Sequence, residues 1–72
     1  MTSTPIRTEV AGTVWKVVAV KGDAVAAGDV IVIMESMKME IPIEAPHAAK
    51  VIELLVAEGD VLKEDDVVAV IG

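Results

Sequence analysis

An internal repeat with a spacing of 37 residues constrains this chain more than any other feature. Residues 5–35 align without a gap on residues 42–72, and eight of the thirty-one aligned pairs are identical. Two such units are too few for a solenoid and instead indicate pseudo-twofold symmetry. We therefore predict a single domain over residues 1–72, with an internal repeat of the segments 5–35 and 42–72.

Apolar runs in each unit predict β-strands. The chain has one Trp and no Phe or Tyr, and its branched apolar residues, mostly Val and Ile, suit a pleated sheet. Gly-Asp pairs at 22–23 and 59–60 punctuate the runs as turns. The runs are too short for buried helices: Val14–Val18, Val30–Met34, Val51–Leu55 and Val67–Ile71. We predict about eight strands, four per unit, in a thin sandwich or barrel.

The segment Met39–Glu44 has a different pattern, in which apolar and polar residues alternate. Alternation of this kind is typical of a strand with one face in solvent. Pro42 has no backbone N–H to donate, so this strand is predicted to lie at a sheet edge or to carry a bulge.

One connection, residues 36–41, joins the two units, and Lys38 lies near its middle. A twofold axis that relates the units maps the two ends of this connection onto the two termini. Because the connection is short, the termini are predicted to lie equally close together, at the opposite end of the domain. The connection follows one strand and precedes another, so we predict that Lys38 lies on an exposed hairpin turn.

Charge and composition exclude several classes of partner. Twelve acidic residues against six basic ones give a formal net charge of −6, which disfavours nucleic acid and anionic lipid headgroups. No apolar run approaches the ~20 residues of a membrane-spanning helix. The segment Met1–Pro5 lacks a cationic start followed by an apolar stretch, so we expect a cytoplasmic location without a secretion signal.

The hairpin motif Glu35-Ser36-Met37-Lys38-Met39 resembles the Glu-(Ala/Ser)-Met-Lys-Met signature of biotinyl domains, the carrier modules of biotin-dependent carboxylases. The resemblance covers nearly the whole chain, including both Gly-Asp turns, and is closest to the single-domain biotin/lipoyl attachment proteins. It implies an all-β fold, a flattened β-barrel (barrel-sandwich hybrid) of two four-stranded antiparallel sheets with pseudo-twofold symmetry. The short segment Val18–Ala24 leaves no room for the "thumb" loop of some family members.

The resemblance implies a role for each residue of the motif. Lys38 is the acceptor of covalent biotin, and Met37 and Met39 are the flanking residues that a biotin protein ligase reads. Glu35 occupies another position linked to ligase recognition. For Glu35 the alternative, an ordinary carboxylate at a strand end, stays open.

The implied function is that of a biotin carboxyl carrier, a non-catalytic protein that serves a biotin carboxylase and a carboxyltransferase. We expect an acyl-CoA (acetyl-CoA) carboxylase of fatty acid biosynthesis, although propionyl-CoA, methylcrotonyl-CoA and urea stay open as acceptors. An exposed lysine amine is mostly protonated at neutral pH and is then not a nucleophile. The biotinyl-adenylate and the deprotonating environment must therefore come from the ligase.

Two other functions are compatible with the same fold. Lipoyl domains typically show Asp-Lys-Ala where this chain has Met37-Lys38-Met39, so lipoate is the minor alternative cofactor. An unmodified interaction module would instead use the flexible Met side chains as an anchor for a partner protein. Binding that survives Lys38→Ala would favour this second alternative.

Other candidate residues predict structural roles. His47 has no partner in the sequence for catalysis or metal binding and is predicted to lie in a loop. The acidic residues between 58 and 66 lack the alternating spacing and the central Gly of a calcium loop, so we predict solvated turns. Trp15 is predicted to be core or half-buried, with partner contact as the alternative for an exposed position. No metal site and no catalytic residue are predicted.

Overall fold

The computed structural model describes residues 3–72, in which the chain forms eight β-strands and no helix. In chain order the strands are β1 (Thr4–Arg7), β2 (Gly12–Val17), β3 (Ala24–Val25), β4 (Val30–Ser36), β5 (Met39–Glu44), β6 (Ala49–Leu54), β7 (Val61–Leu62) and β8 (Val67–Ile71). No helix in this part of the chain is long and apolar enough to cross a membrane.

The strands form two sheets that each combine strands from both halves of the chain. Sheet A has the order β1-β8-β6-β3, and sheet B has the order β5-β4-β2-β7. All neighbouring strands in both sheets are antiparallel. The predicted all-β fold of two four-stranded antiparallel sheets is confirmed, as a flattened barrel-sandwich in which the sheets do not close into a continuous barrel.

Matching turns explain why the Gly-Asp and Asp-Val pairs recur along the chain. In each turn an Asp carboxylate accepts a hydrogen bond from the backbone N–H three residues earlier, which fixes the local backbone. The four bonds run from Val20 to Asp23 at 3.0 Å, Ala26 to Asp29 at 2.9 Å, Ala57 to Asp60 at 2.9 Å and Lys63 to Asp66 at 2.8 Å. The spacing of 37 therefore repeats in hydrogen bonds as well as in residue types.

Backbone hydrogen bonds from these turns connect the two halves. Gly22 donates to the carbonyl of Val51, and Gly59 donates to the carbonyl of Val14, both at 2.8 Å. Each turn is thus held by a strand from the other half of the chain. The two halves interlock through these bonds and share one core.

Branched aliphatic side chains fill the space between the sheets. The completely or almost completely buried ones come mainly from the inner strands β2, β4, β6 and β8: Val14, Ile31, Val32, Met34, Val51, Val68 and Ile71. Full burial of such a side chain contributes about 1.5–3 kcal/mol. The buried Thr8 satisfies its hydroxyl locally, because it donates to the carbonyl of Val10 at 2.7 Å.

The outer strands and the termini agree with the sequence-based expectations. β5 is an edge strand of sheet B, so the predicted edge position of Pro42 is confirmed. Thr4 pairs with Ile71, which places the described N-terminal residues beside the C-terminal strand. Backbone bonds between Lys50 and Gly72 fix the last residue against β6. Thr4 and Gly72 therefore both lie on sheet A, whereas the hairpin that contains Lys38 extends from sheet B.

Candidate functional site

The hairpin of β4 and β5 ends in a two-residue loop. Its last strand pair is Ser36 with Met39, and between them Met37 and Lys38 have positive φ angles of 52° and 66°. A two-residue loop with positive φ at both positions is the pattern of a type I′ turn, whose twist matches that of the flanking strands. The predicted hairpin turn at Lys38 is thus found in the structure.

The side chains of this turn are exposed. Met37 is 92% exposed and Met39 65%, and Lys38 is also exposed. Methionine at such exposure gains nothing from the core, so burial does not explain these two residues. Lys38 is therefore an accessible amine with an apolar residue on each side in the sequence.

The base of the hairpin is fixed by close backbone packing. A Cβ atom on Gly12 would lie 2.5 Å from the carbonyl oxygen of Glu35 and 3.3 Å from the Cβ of Ser36. Only a residue without a side chain allows β2 to approach the hairpin this closely. This role of Gly12 was not predicted from the sequence. The repeat does contain a signal for it, since the matching position in the second unit holds Ala49 and only the first unit has Gly.

Two carboxylates face each other just below the turn. Glu35 pairs directly with Glu40 across the hairpin, and both residues are exposed. Like charges in directly opposite positions are unfavourable for a sheet, so folding alone does not account for this pair. The role of Glu35 in ligase recognition stays a prediction.

Other candidate residues lie away from the hairpin tip. The His47 ring lies 3.1 Å from the Thr4 hydroxyl and 3.2 Å from the Ala48 carbonyl, and it is exposed in the loop before β6. Among residues 3–72 no three metal-ligating side chains come together. Trp15 is 48% exposed, so the predicted core or half-buried position is not found and the exposed alternative is.

Comparison with known families decides what kind of domain this is. Residues 1–71 match the biotin/lipoyl family, which is described as "Biotin-requiring enzyme". The chain belongs to this family. The predicted family and its cofactor, biotin, are confirmed.

Relatives of similar length also belong to the biotin/lipoyl group. The chain is 46% identical over 66 residues to the "Biotinylated protein TB7.3 homolog" of Mycobacterium leprae, covering 92% of this chain and 93% of that one. It is 46% identical over 59 residues to the "Biotin/lipoyl attachment protein" of Bacillus subtilis, covering 82% of this chain and 81% of that one.

A solved structure shows the same fold inside a much larger protein. The urea carboxylase of Kluyveromyces lactis matches with a TM-score of 0.94 and 39% identity, covering 100% of this chain but only 6% of the carboxylase. The biotin/lipoyl domain described here therefore corresponds to a small part of that enzyme.

The hairpin geometry fits a covalently attached cofactor. Biotin carries a carboxyl group, and an exposed lysine amine is the type of side chain that forms a stable amide with it. The Lys38 amine has open space around the turn, and the interlocked strands below it hold the turn in one position. The Lys38 side chain is therefore accessible from solvent at the end of the hairpin.

Proposed function

We propose that Lys38 is the attachment site of biotin and that the domain acts as a biotin carboxyl carrier. The observation that carries this proposal is the position of Lys38 at the second residue of a two-residue turn, exposed and flanked by exposed Met37 and Met39. Family membership indicates the cofactor, and the hairpin geometry holds the Lys38 amine in an exposed turn at the end of two strands.

Attachment requires one nucleophilic displacement. The Lys38 amine transfers a proton to a base of the ligase, and its lone pair then attacks the carboxyl carbon of biotinyl-adenylate. A C–N bond forms, the nitrogen gives up its second proton to give the amide, the C–O bond to the phosphate breaks, and AMP leaves with that electron pair. Met37 and Met39 supply adaptable apolar contacts that seat the turn against the ligase.

After attachment, the domain serves as a carrier that positions the biotin outside the sheets. Biotin, when bound, would supply a ureido nitrogen able to carry a carboxyl group from a biotin carboxylase to a carboxyltransferase. The turn keeps the tether away from the sheets, and tethering maintains a high effective concentration at both enzymes, on the order of millimolar for a short flexible link. None of the residues that hold the tether is assigned a catalytic role.

The carboxyl acceptor is proposed to be an acyl-CoA such as acetyl-CoA. Acceptor choice belongs to the carboxyltransferase, so the same carrier would also serve urea, the acceptor named for the Kluyveromyces lactis enzyme to which the domain is similar. Parallel transfer assays with acetyl-CoA and urea, using the carboxyltransferase of the host, will separate these acceptors.

Carboxylation of the loaded domain tests the carrier function. Biotinylated domain, purified biotin carboxylase, ATP and radiolabelled bicarbonate should give label that remains with the protein and is lost on adding carboxyltransferase and acceptor. Unbiotinylated domain and Lys38→Arg serve as matched controls and should take up no label. A biotinylated domain that accepts no label from any carboxylase of the host would contradict the carrier function.

A further inference from the structure

The outer face of sheet B carries apolar residues directly below the hairpin tip. Val61 pairs with Thr13, Thr13 pairs with Glu35, and Glu35 pairs with Glu40, so these residues form one row across the sheet. Directly opposite residues share a face of an antiparallel sheet. Val61 is 81% exposed, and the row is one strand pair away from the Lys38 turn.

Trp15 extends this apolar surface along β2. It lies two residues beyond Thr13, in a bulge where the register between β2 and β4 shifts, and it is 48% exposed. A bulge turns side chains out of the regular alternation. We name Val61 and Trp15 together the tip-side patch.

The patch breaks the pseudo-symmetry of the domain. At the matching positions of the other unit, Ala24 replaces Val61, Ile52 replaces Trp15 and Lys50 replaces Thr13. In both apolar pairs the larger side chain thus lies on sheet B, the sheet that carries the Lys38 hairpin. Neither the exposed Val61 nor Trp15, the sole Trp, helps to keep the domain in solution, and exposed apolar surface often marks an interaction site. Trp is also enriched among the residues that contribute most to protein–protein binding.

We propose that the tip-side patch is the docking surface for biotin protein ligase. This inference rests on the proposed function, because it takes Lys38 as the modified residue. An unmodified lysine has only a four-carbon stem, so the ligase active site must approach the turn itself and cover the surface next to it. The biotinylated arm is much longer, which allows the carboxylases to act on it with the domain held farther away.

Charge defines the matching surface of the ligase. The row between the patch and the far edge of the hairpin contains Glu35 and Glu40, and the whole chain has a net charge of −6. The ligase surface that fits is an apolar patch bordered by basic side chains. Such charges accelerate encounter, and the apolar contacts slow dissociation.

Steady-state biotinylation with purified ligase, biotin and ATP tests this surface. Trp15→Ile and Val61→Ala introduce the residues of the matching positions in the other unit, and both variants are assayed singly and together over a range of domain concentrations. The KM for the double variant should rise about tenfold, which corresponds to loss of one good interface contact, while kcat stays within about twofold. Val61→Asp should raise KM further, because it places a charge against the apolar patch of the ligase.

Ile52→Ala is the matched control, because Ile52 is 44% exposed on sheet A at the position that corresponds to Trp15. Its KM should equal that of the wild type. Val61 is too exposed for its replacement to disturb the core, so Val61→Ala tests the surface even if a Trp15 variant folds poorly.

Three outcomes are distinguishable. An unchanged KM in folded Val61→Ala and in the double variant would overturn the docking surface, while biotinylation of the wild type would leave the attachment site intact. Normal ligase kinetics combined with impaired carboxylation of the loaded double variant would also overturn it, by assigning the patch to a carboxylase. Failure of the wild type to gain biotin would instead contradict the proposed function itself.

Discussion

Gly12 lies directly against the backbone of Glu35, so that a Cβ atom at Gly12 would come within 2.5 Å of the Glu35 carbonyl oxygen. The two residues belong to neighbouring strands of sheet B at the base of the Lys38 hairpin. The packing of this hairpin therefore depends on the absence of one side chain.

Gly12→Ala should destabilise the domain and shift the base of the hairpin. The obstructing atom is backbone, which cannot rotate away, so we expect a loss of about 1–3 kcal/mol in the free energy of unfolding. Urea denaturation measures this loss. Ala49→Gly removes the Cβ at the matching position of the second unit and should cost no more than about 1 kcal/mol. A Gly12→Ala variant as stable as the wild type would contradict the close packing.

Met37→Asn should stabilise the domain. Met37 has a φ of 52°, a conformation that costs most side chains energy but that Asn adopts readily in type I′ turns. We expect a gain on the order of 0.5–1 kcal/mol, seen as a rise of several degrees in the Tm. The control is Met39→Asn in the extended strand β5, where Asn is disfavoured and no gain is expected. A lower Tm for Met37→Asn would argue against backbone strain at the turn.

Gly28 and Asp65 occupy matching positions in the two units, with φ angles of 89° and 72°. Gly28→Asp should therefore be tolerated with a loss below about 1 kcal/mol, because Asp already adopts this conformation in the second unit. Gly28→Val should lower the free energy of unfolding by about 1–2 kcal/mol. Nothing lies within 4 Å of the new Cβ, so this loss comes from the positive φ angle and not from a steric clash with a neighbour. Equal stabilities of the two variants by urea denaturation would refute this explanation.

Asp60 caps its turn by accepting a hydrogen bond of 2.9 Å from the backbone N–H of Ala57. Asp60→Ala removes the acceptor and should lower the free energy of unfolding by about 1 kcal/mol. Asp60→Asn keeps an acceptor oxygen and should retain most of that stability. Thermal unfolding of both variants tests the turn, and an Asn variant as unstable as the Ala variant would show that the bond itself contributes little.

Much of the fold could be predicted from the sequence because the repeat aligns strand with strand. The bounds of Met39–Glu44 and Val67–Ile71 agree with the structure. The prediction of a strand over Val14–Val18 was shifted, since the observed β2 spans Gly12–Val17. Gly12 and Thr13 pair with Leu62 and Val61 of β7, and this pairing extends the start of β2 through contacts with a distant part of the sequence.

The site was predicted in position but not in conformation. The motif and the repeat junction placed Lys38 on a hairpin turn, as found. The left-handed backbone at Met37 and Lys38 carries no Gly or Asn to indicate it in the sequence. Trp15 was predicted to be core or half-buried, although it follows the buried Val14 in β2 and strand alternation places it on the outer face.

Intact-mass spectrometry after treatment with biotin protein ligase, biotin and ATP tests the assignment of Lys38 most directly. The wild-type domain should gain the mass of one biotinyl group, and peptide mapping should place it on Lys38. Lys38→Arg should gain none, and lipoate with its own ligase should modify the wild type poorly. A gain of mass that survives Lys38→Arg, or no gain in the wild type, would contradict the assignment.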